Sequence, residues 1–219
     1  MNREYYATTE RYIHEGPPRR TTQERIEIVI EVARLFKVKK AADYGAGSGD
    51  VCLSLARAGI KTYSVDIPGK TSEFAARRYR NAGLDVETLS PEGFLSLPSE
   101  SLDLVTSFDV LEHLDNPFKF VHQAWEKLSP QGIFILSADL HNFSDEAHIA
   151  DHFIYEPFLI QLVENVGFEL LDSAIQWRPR LRETKFTFGS IRVDCFRKIM
   201  AGSSQLERFQ RMAARYSLK

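Results

Sequence analysis

Asp43-Tyr44-Gly45-Ala46-Gly47-Ser48-Gly49 stands between a short apolar run and an amphipathic segment that begins at Asp50. A strand that feeds a glycine-rich turn, which in turn opens a helix, is the signature of a nucleotide-cofactor loop. Glycine takes positive φ at little cost, and without a Cβ it lets a ligand approach the backbone closely. Spacing narrows the choice of ligand. A dinucleotide fingerprint, GxGxxG, would need glycine at position 50, where this chain has Asp50. The pattern here is GxGxG, and an acidic residue at the helix start disfavours a pyrophosphate while leaving a cationic ligand unpenalised. Seventeen residues past Gly49 the next apolar run ends in Asp66, whose carboxylate can accept hydrogen bonds from both ribose hydroxyls of a nucleoside. The competing reading makes the glycines a plain tight turn and Asp66 a cap for the following helix.

Outward from that loop, short apolar runs alternate with helical patterns, which predicts a doubly wound α/β fold with a mostly parallel sheet and helices on both faces. Strands are expected at 41–44, 61–66, 86–89, 102–108 and 132–138, with helices at 50–58, 71–82, 117–128 and 156–166. Gly167 stops the last helix, and 168–177 with 190–196 read as a terminal strand pair. Upstream, Thr21 and Glu24 form a Thr-x-x-Glu capping box before Ile26, Val29, Ile30 and Ala33, which recur at spacings of three and four. Residues 1–20 end in Gly16-Pro17-Pro18 and read as an arm, 21–198 as one domain, and 199–219 as a helical tail. The tail carries Leu206, Phe209, Met212 and Tyr216 at helical spacing, a stripe that suits the domain surface or a second copy of the chain.

With 219 residues, 43% of them hydrophobic and 26% charged, the chain can bury one sizeable core. A net charge of −2 gives no global attraction to nucleic acid or anionic membrane. Between Arg178 and Lys198 seven basic residues face two acidic ones, which reads as a solvated hairpin face, and no base-stacking or recognition motif accompanies them. The two cysteines, Cys52 and Cys195, lie in no metal-binding or disulfide pattern. No apolar signal core and no stretch of about 18 apolar residues is present, so a cytoplasmic location is expected.

Three stretches together, Asp43 to Gly49, Asp66, and Ser107-Phe108-Asp109-Val110-Leu111-Glu112-His113-Leu114, resemble the successive motifs of class I (Rossmann-like) S-adenosylmethionine-dependent methyltransferases. The likeness covers roughly residues 21–198. It implies a seven-stranded sheet of order 3-2-1-4-5-7-6, S-adenosylmethionine as methyl donor, and S-adenosylhomocysteine as product. It further implies that Asp43, Gly45, Ala46, Gly47 and Gly49 border the methionine part of the donor, that Asp66 holds the ribose, and that Ile67 lies beside the adenine. Many members place an Asp shortly before a Leu-Pro to bind the adenine amino group; counting back from Leu97-Pro98 puts Gly93 there. Ser90, Glu92 or the backbone around Phe94 is the expected substitute.

Ligands of a doubly wound sheet sit outside the C-terminal ends of its strands, so Asp109 through His113, and Asp139 through Asn142, should face the transferred methyl, with Phe108 and Asp109 expected among the cofactor-binding residues. An oxygen or nitrogen acceptor on a small molecule must also lose a proton, for which histidine is suited. His113 and His141 are the candidate bases; His113 alternatively packs against the sheet. Asp109, Glu112 and His113, with His148 and His152, also resemble the divalent-metal site of metal-assisted methyltransferases of 2′-hydroxyl or catechol acceptors. A third reading is a methyltransferase-like module that binds without turnover.

Overall fold

In the central strands apolar residues fill both faces, as a sheet covered by helices on each side requires. The computed structural model describes residues 3–13, 16, 18, 20–138, 140, 149–171 and 193–199. Its elements are α1 (Arg3–Thr8), α2 (Arg20–Leu35), β1 (Lys40–Tyr44), α3 (Asp50–Arg57), β2 (Lys61–Val65), α4 (Lys70–Asn81) and β3 (Val86–Leu89). They continue with α5 (Pro91–Ser96), β4 (Leu102–Phe108), α6 (Pro117–Lys127), β5 (Leu128–Ser137), α7 (Leu159–Val166), β6 (Phe168–Leu170) and β7 (Asp194–Lys198). Short 3-10 segments run over Leu111–His113 and Ala150–Phe158.

The seven strands pair in the order β3-β2-β1-β4-β5-β7-β6, as the resemblance implies. β3, β2, β1, β4 and β5 are mutually parallel, and β7 runs antiparallel to both β5 and β6. Alternation along β1 sends Ala41 to one face and Ala42 to the other. On the first face Ala41, Leu104 and Ile133 meet Ile26, Val29 and Ala33 of α2 and Val51 and Leu55 of α3. On the opposite face Ala42, Val105 and Phe134 meet Phe94 of α5, Phe120 and Ala124 of α6, and Val163 of α7. Burying each such large apolar side chain contributes roughly 1.5–3 kcal/mol, so this double-sided core holds the strand ends in place.

Three differences from the expected elements have physical causes. The first long helix begins at Arg20, which puts Thr21 inside it rather than at its cap. β5 begins at Leu128 instead of 132, crossing an irregularity in its register with β4 where Gln131 takes φ +67°. α5 was unforeseen: the Ser90 hydroxyl caps it by accepting from the Gly93 amide at 3.1 Å, with Pro91 at the first turn. The terminal strand pair is present as β6 and β7, shorter than expected over the described residues; 172–192 and the tail 200–219 lie outside them.

Candidate functional site

The loop after β1, Asp66 after β2, and Asp109 after β4 gather at one edge of the sheet because these three strands are neighbours in register, Tyr44 opposite Val65 and Asp43 opposite Thr106. This is the point where the winding of the sheet reverses direction, where α/β folds open a crevice for ligands.

Gly45, Gly47 and Gly49 take φ of +77°, +54° and +82°, so every second residue of the loop is left-handed and the GxGxG spacing is a backbone requirement. The Gly45 and Ala46 amides donate to the Val65 carbonyl at 2.8 and 3.1 Å, tying the loop to the end of β2. A Cβ on Gly45 would lie 2.2 Å from Val110 Cγ2, and one on Gly49 would lie 2.1 Å from the Tyr79 hydroxyl oxygen. At Gly47, by contrast, nothing stands within 4 Å of that position. The loop is therefore packed at both ends and open in the middle, a cradle for a ligand.

Asp66 sits beside the cradle. Its two carboxylate oxygens accept from the Gly47 amide at 2.7 Å and the Ile67 amide at 2.7 Å, and α4 begins after Gly69 without any bond from Asp66. Asp66 thus belongs to the loop and is not a cap for α4. Burial raises its pKa against the two amide bonds that lower it.

Asp43 lies beneath the loop, 3% exposed, accepting from the Thr106 hydroxyl at 2.6 Å and facing the Cys52 thiol at 3.8 Å. Burial pushes its pKa up to about 7, the Thr106 bond opposing the shift. The folded chain therefore holds a proton on Asp43 that the unfolded chain loses near pH 3.8. This group's favourable contribution to stability is complete below that value and is lost as pH rises through about 7.

On the other side of the cradle Asp109 takes φ +55°, an uncommon conformation tolerated by Asp and held here by the bond from its amide to the Ser137 carbonyl at 3.0 Å. The Arg25 guanidinium of α2 grips its carboxylate with two bonds, 2.7 and 2.9 Å, and stands 5.2 Å over the Phe108 ring. The Ser137 hydroxyl adds a third at 2.9 Å. Arg25 had no sequence signal, since a pairing across 84 positions has no spacing to read. Asp50 likewise pairs with Arg78 at 2.8 Å, which offsets its negative charge toward a pyrophosphate and leaves the GxGxG spacing as the feature that disfavours a dinucleotide.

Two of the residues expected near the adenine have partners within the fold. Phe94 is fully buried against Tyr44 and Phe120, and its amide donates to the Ser90 carbonyl. The Ser90 hydroxyl is the cap of α5. Both were placed by counting along the chain, which carries no information about the face of a helix.

His113 is half-buried at the end of its 3-10 segment, its ring 5.4 Å from that of Tyr6. Tyr6 in turn stacks on Tyr12 at 6.1 Å. The arm reaches this place by docking α1 on the start of α4, where Ala7 abuts Gly69, Glu10 pairs with Lys70 at 2.7 Å, and the Thr71 hydroxyl donates to the Thr9 carbonyl. His141 and His148 lie outside the described residues. His152 is buried in the second 3-10 segment, and Glu112 is buried with its carbonyl accepting from the Ile149 amide. Among the described residues no three His, Cys, Asp or Glu side chains converge as a metal site, and no helix is long and apolar enough to cross a membrane.

Residues 42–136, which contain the glycine loop, Asp66 and the Asp109 to His113 segment, match the methyltransferase domain family. The chain has the fold of class I S-adenosylmethionine-dependent methyltransferases. It is 34% identical over 121 residues to the mitochondrial ubiquinone biosynthesis O-methyltransferase of Schizosaccharomyces pombe, covering 52% of this chain and 43% of that one. A ubiquinone biosynthesis O-methyltransferase of Hydrogenovibrio crunogenus is 26% identical over 187 residues, covering 74% and 76%. Among solved structures, an S-adenosylmethionine-dependent methyltransferase from Clostridium acetobutylicum superposes with a TM-score of 0.61 at 13% identity, covering 81% of this chain and 92% of that one. The chain spans about half the length of several curated ubiquinone biosynthesis O-methyltransferases that it matches, 43% of the Schizosaccharomyces pombe protein and 50% and 51% of those of Histophilus somni and Actinobacillus pleuropneumoniae.

Proposed function

We propose that this protein is a cytoplasmic enzyme of the class I methyltransferase superfamily that moves a methyl group from S-adenosylmethionine to an oxygen or nitrogen atom of a small-molecule acceptor. The Gly47–Asp66 pairing carries the reading: a carboxylate already bonded to the open middle of the loop has further lone pairs to offer two ribose hydroxyls. Gly45, Ala46 and Gly49 frame the donor, Ile67 flanks the adenine, and Phe108 with the Arg25–Asp109 pair bounds the methionine end. Ubiquinone biosynthesis O-methyltransferases among the relatives make a hydroxyl the first acceptor to test. The catalytic unit is residues 21–198, with 1–20 as an arm over the site and 199–219 as a tail that could meet a second copy.

The donor supplies an electrophilic methyl carbon on a sulfonium: the acceptor lone pair forms the new bond, the S–C bond breaks, and its electrons return to sulfur. The chain must hold the acceptor about 3 Å from that carbon and in line with the bond. His113 takes the proton the acceptor loses, and the Tyr6 ring beside it sets the direction of approach. Metal assistance is the weaker reading, because the Asp109 carboxylate is committed to Arg25 and Ser137.

Calorimetric titration of the full chain should give micromolar binding of S-adenosylmethionine and S-adenosylhomocysteine and none of NAD. Binding of NAD alone would overturn the assignment. With an acceptor found by screening phenols, alcohols and amines, His113→Gln should lower kcat by about 100-fold and leave S-adenosylhomocysteine affinity unchanged. An equal loss in both would make His113 structural. Activity abolished by chelator and restored by Mg²⁺ would favour the metal-assisted reading.

Asp43 adds a pH dependence of known sign. A cationic donor favours the ionised carboxylate beneath the loop, so binding below pH 7 expels the proton that burial retains there. Donor affinity should rise with pH up to about 7 and level off above it. Titrations in buffers of different ionisation enthalpy read the released proton directly, and Asp43→Asn should release none; a flat wild-type profile would remove Asp43 from the site.

A further inference from the structure

Two consecutive residues of α4, Arg78 and Tyr79, reach three consecutive residues where the glycine loop passes into α3, Arg78 at Ser48 and Asp50 and Tyr79 at Gly49, although neither belongs to a motif. Arg78 donates from one guanidinium nitrogen to the Ser48 carbonyl and from another to Asp50 Oδ1 at 2.8 Å. The other Asp50 oxygen accepts from the Ser48 hydroxyl at 2.8 Å, so this short network closes on itself around the loop. Tyr79 is 2% exposed, donates its hydroxyl to Ser64 Oγ at 3.0 Å, and lies with its oxygen and ring where any side chain on Gly49 would stand. Side chains of neighbouring helical residues diverge by about 100°, so the pair grips the loop from two directions, Arg78 from its rim and Tyr79 from below.

The strands do not explain this grip. β1 and β2 already tie down Gly45 and Ala46 through Val65, and Asp66 ties down Gly47. Ser48, Gly49 and Asp50 are the part of the loop that the sheet does not reach. Gly49 is also the left-handed residue at which α3 starts, so its dihedrals set the direction in which the helix leaves the cradle.

We propose that Arg78 and Tyr79 are positioning residues for donor binding: α4 presets the second half of the glycine loop, so that the nucleoside meets a cradle already in its bound shape. This rests on reading the loop as the donor site. Such preorganisation acts on affinity, because the cost of ordering the loop is met before the ligand arrives.

The test compares Arg78→Met, Arg78→Lys and Tyr79→Phe with wild type and with Arg80→Met, an exposed arginine on the same helix. Calorimetry with S-adenosylhomocysteine should show about tenfold weaker binding for Arg78→Met, partial recovery for Arg78→Lys, a loss of a few fold for Tyr79→Phe, and no change for Arg80→Met. Hydrogen exchange without ligand should quicken at the amides of 48–50 in the Arg78 and Tyr79 variants while the amides of β1 and β4 keep their protection. Unchanged affinity and unchanged loop exchange in Arg78→Met would overturn the proposal. So would exchange quickened throughout the sheet, which would mark α4 as a fold element only. If wild type fails to bind S-adenosylhomocysteine, the functional reading falls, and the exchange of 48–50 alone still decides whether α4 orders the loop.

Discussion

Replacing Asp66 by alanine should weaken S-adenosylhomocysteine binding by about 100-fold or more while the protein remains folded. Hydrogen bonds to a charged group contribute about 1.5–3 kcal/mol each, and two ribose hydroxyls on one carboxylate sum to at least two factors of ten. A second loss adds to the first, because the Asp66 oxygens also hold the Gly47 and Ile67 amides at the middle of the cradle. Stability should change little: burial already raises the Asp66 pKa, so removing the carboxylate relieves a desolvation cost as it removes two bonds. Asp66→Asn keeps one acceptor oxygen and should fall between wild type and alanine. Calorimetry alongside thermal unfolding separates the two effects, and an alanine variant that binds like wild type would dismiss Asp66 as the ribose ligand.

The loop and Asp66 were legible in the sequence because their chemistry is a demand on the backbone. Left-handed residues at 45, 47 and 49 can be met cheaply only by glycine, and an acidic residue at the end of the next parallel strand is brought alongside by register alone. Alternation of apolar runs and helices pointed to a doubly wound, mostly parallel sheet, while the order of its strands was implied by the family resemblance alone. Arg25, Arg78 and Tyr79 left no such trace. Each acts by a side chain reaching across the fold, 84, 28 to 30 and 15 positions away in sequence, and nothing local distinguishes them from the arginines and tyrosines that face solvent or core. At Phe94 and Ser90 position relative to Leu97-Pro98 could not say which face of a helix each takes: α5 turns the Phe94 ring into the core and makes the Ser90 hydroxyl its cap.

The arm shows how far chemistry can depend on contacts that spacing does not specify. Tyr6 and His113 stand more than a hundred positions apart, and they meet only because α1 docks on the start of α4 at Gly69, the glycine that also opens that helix. A side chain at position 69 would strike the backbone of Ala7, so one small residue admits the arm and thereby places aromatic rings beside the candidate base. On the proposed reading the donor end of the site is built by strands and the acceptor end by an added segment.

Gly49→Ala should have the largest effect on the fold of any single substitution in the loop, lowering stability by about 2–5 kcal/mol. A left-handed conformation costs a residue with a Cβ about 1–2 kcal/mol, and Gly49 holds φ +82°. The new methyl would also sit 2.1 Å from the Tyr79 hydroxyl oxygen and 2.6 and 2.7 Å from two ring carbons, an overpacking of the kind that costs about 1–3 kcal/mol. The ring cannot swing away, because it is buried among Cys52, Leu53 and Ala75 with its hydroxyl bonded to Ser64. Relief must come from the loop, which would lift and carry the start of α3 with it. For a chain of this size the expected fall in Tm is about 5–15 °C, with donor affinity falling at the same time. Gly47→Ala supplies the contrast, since only the dihedral cost applies where nothing stands within 4 Å: its Tm should drop far less, while donor binding is lost to the methyl group in the cradle. If the two variants were equally stable, the close packing of Tyr79 under the loop would not be the constraint that fixes glycine at position 49.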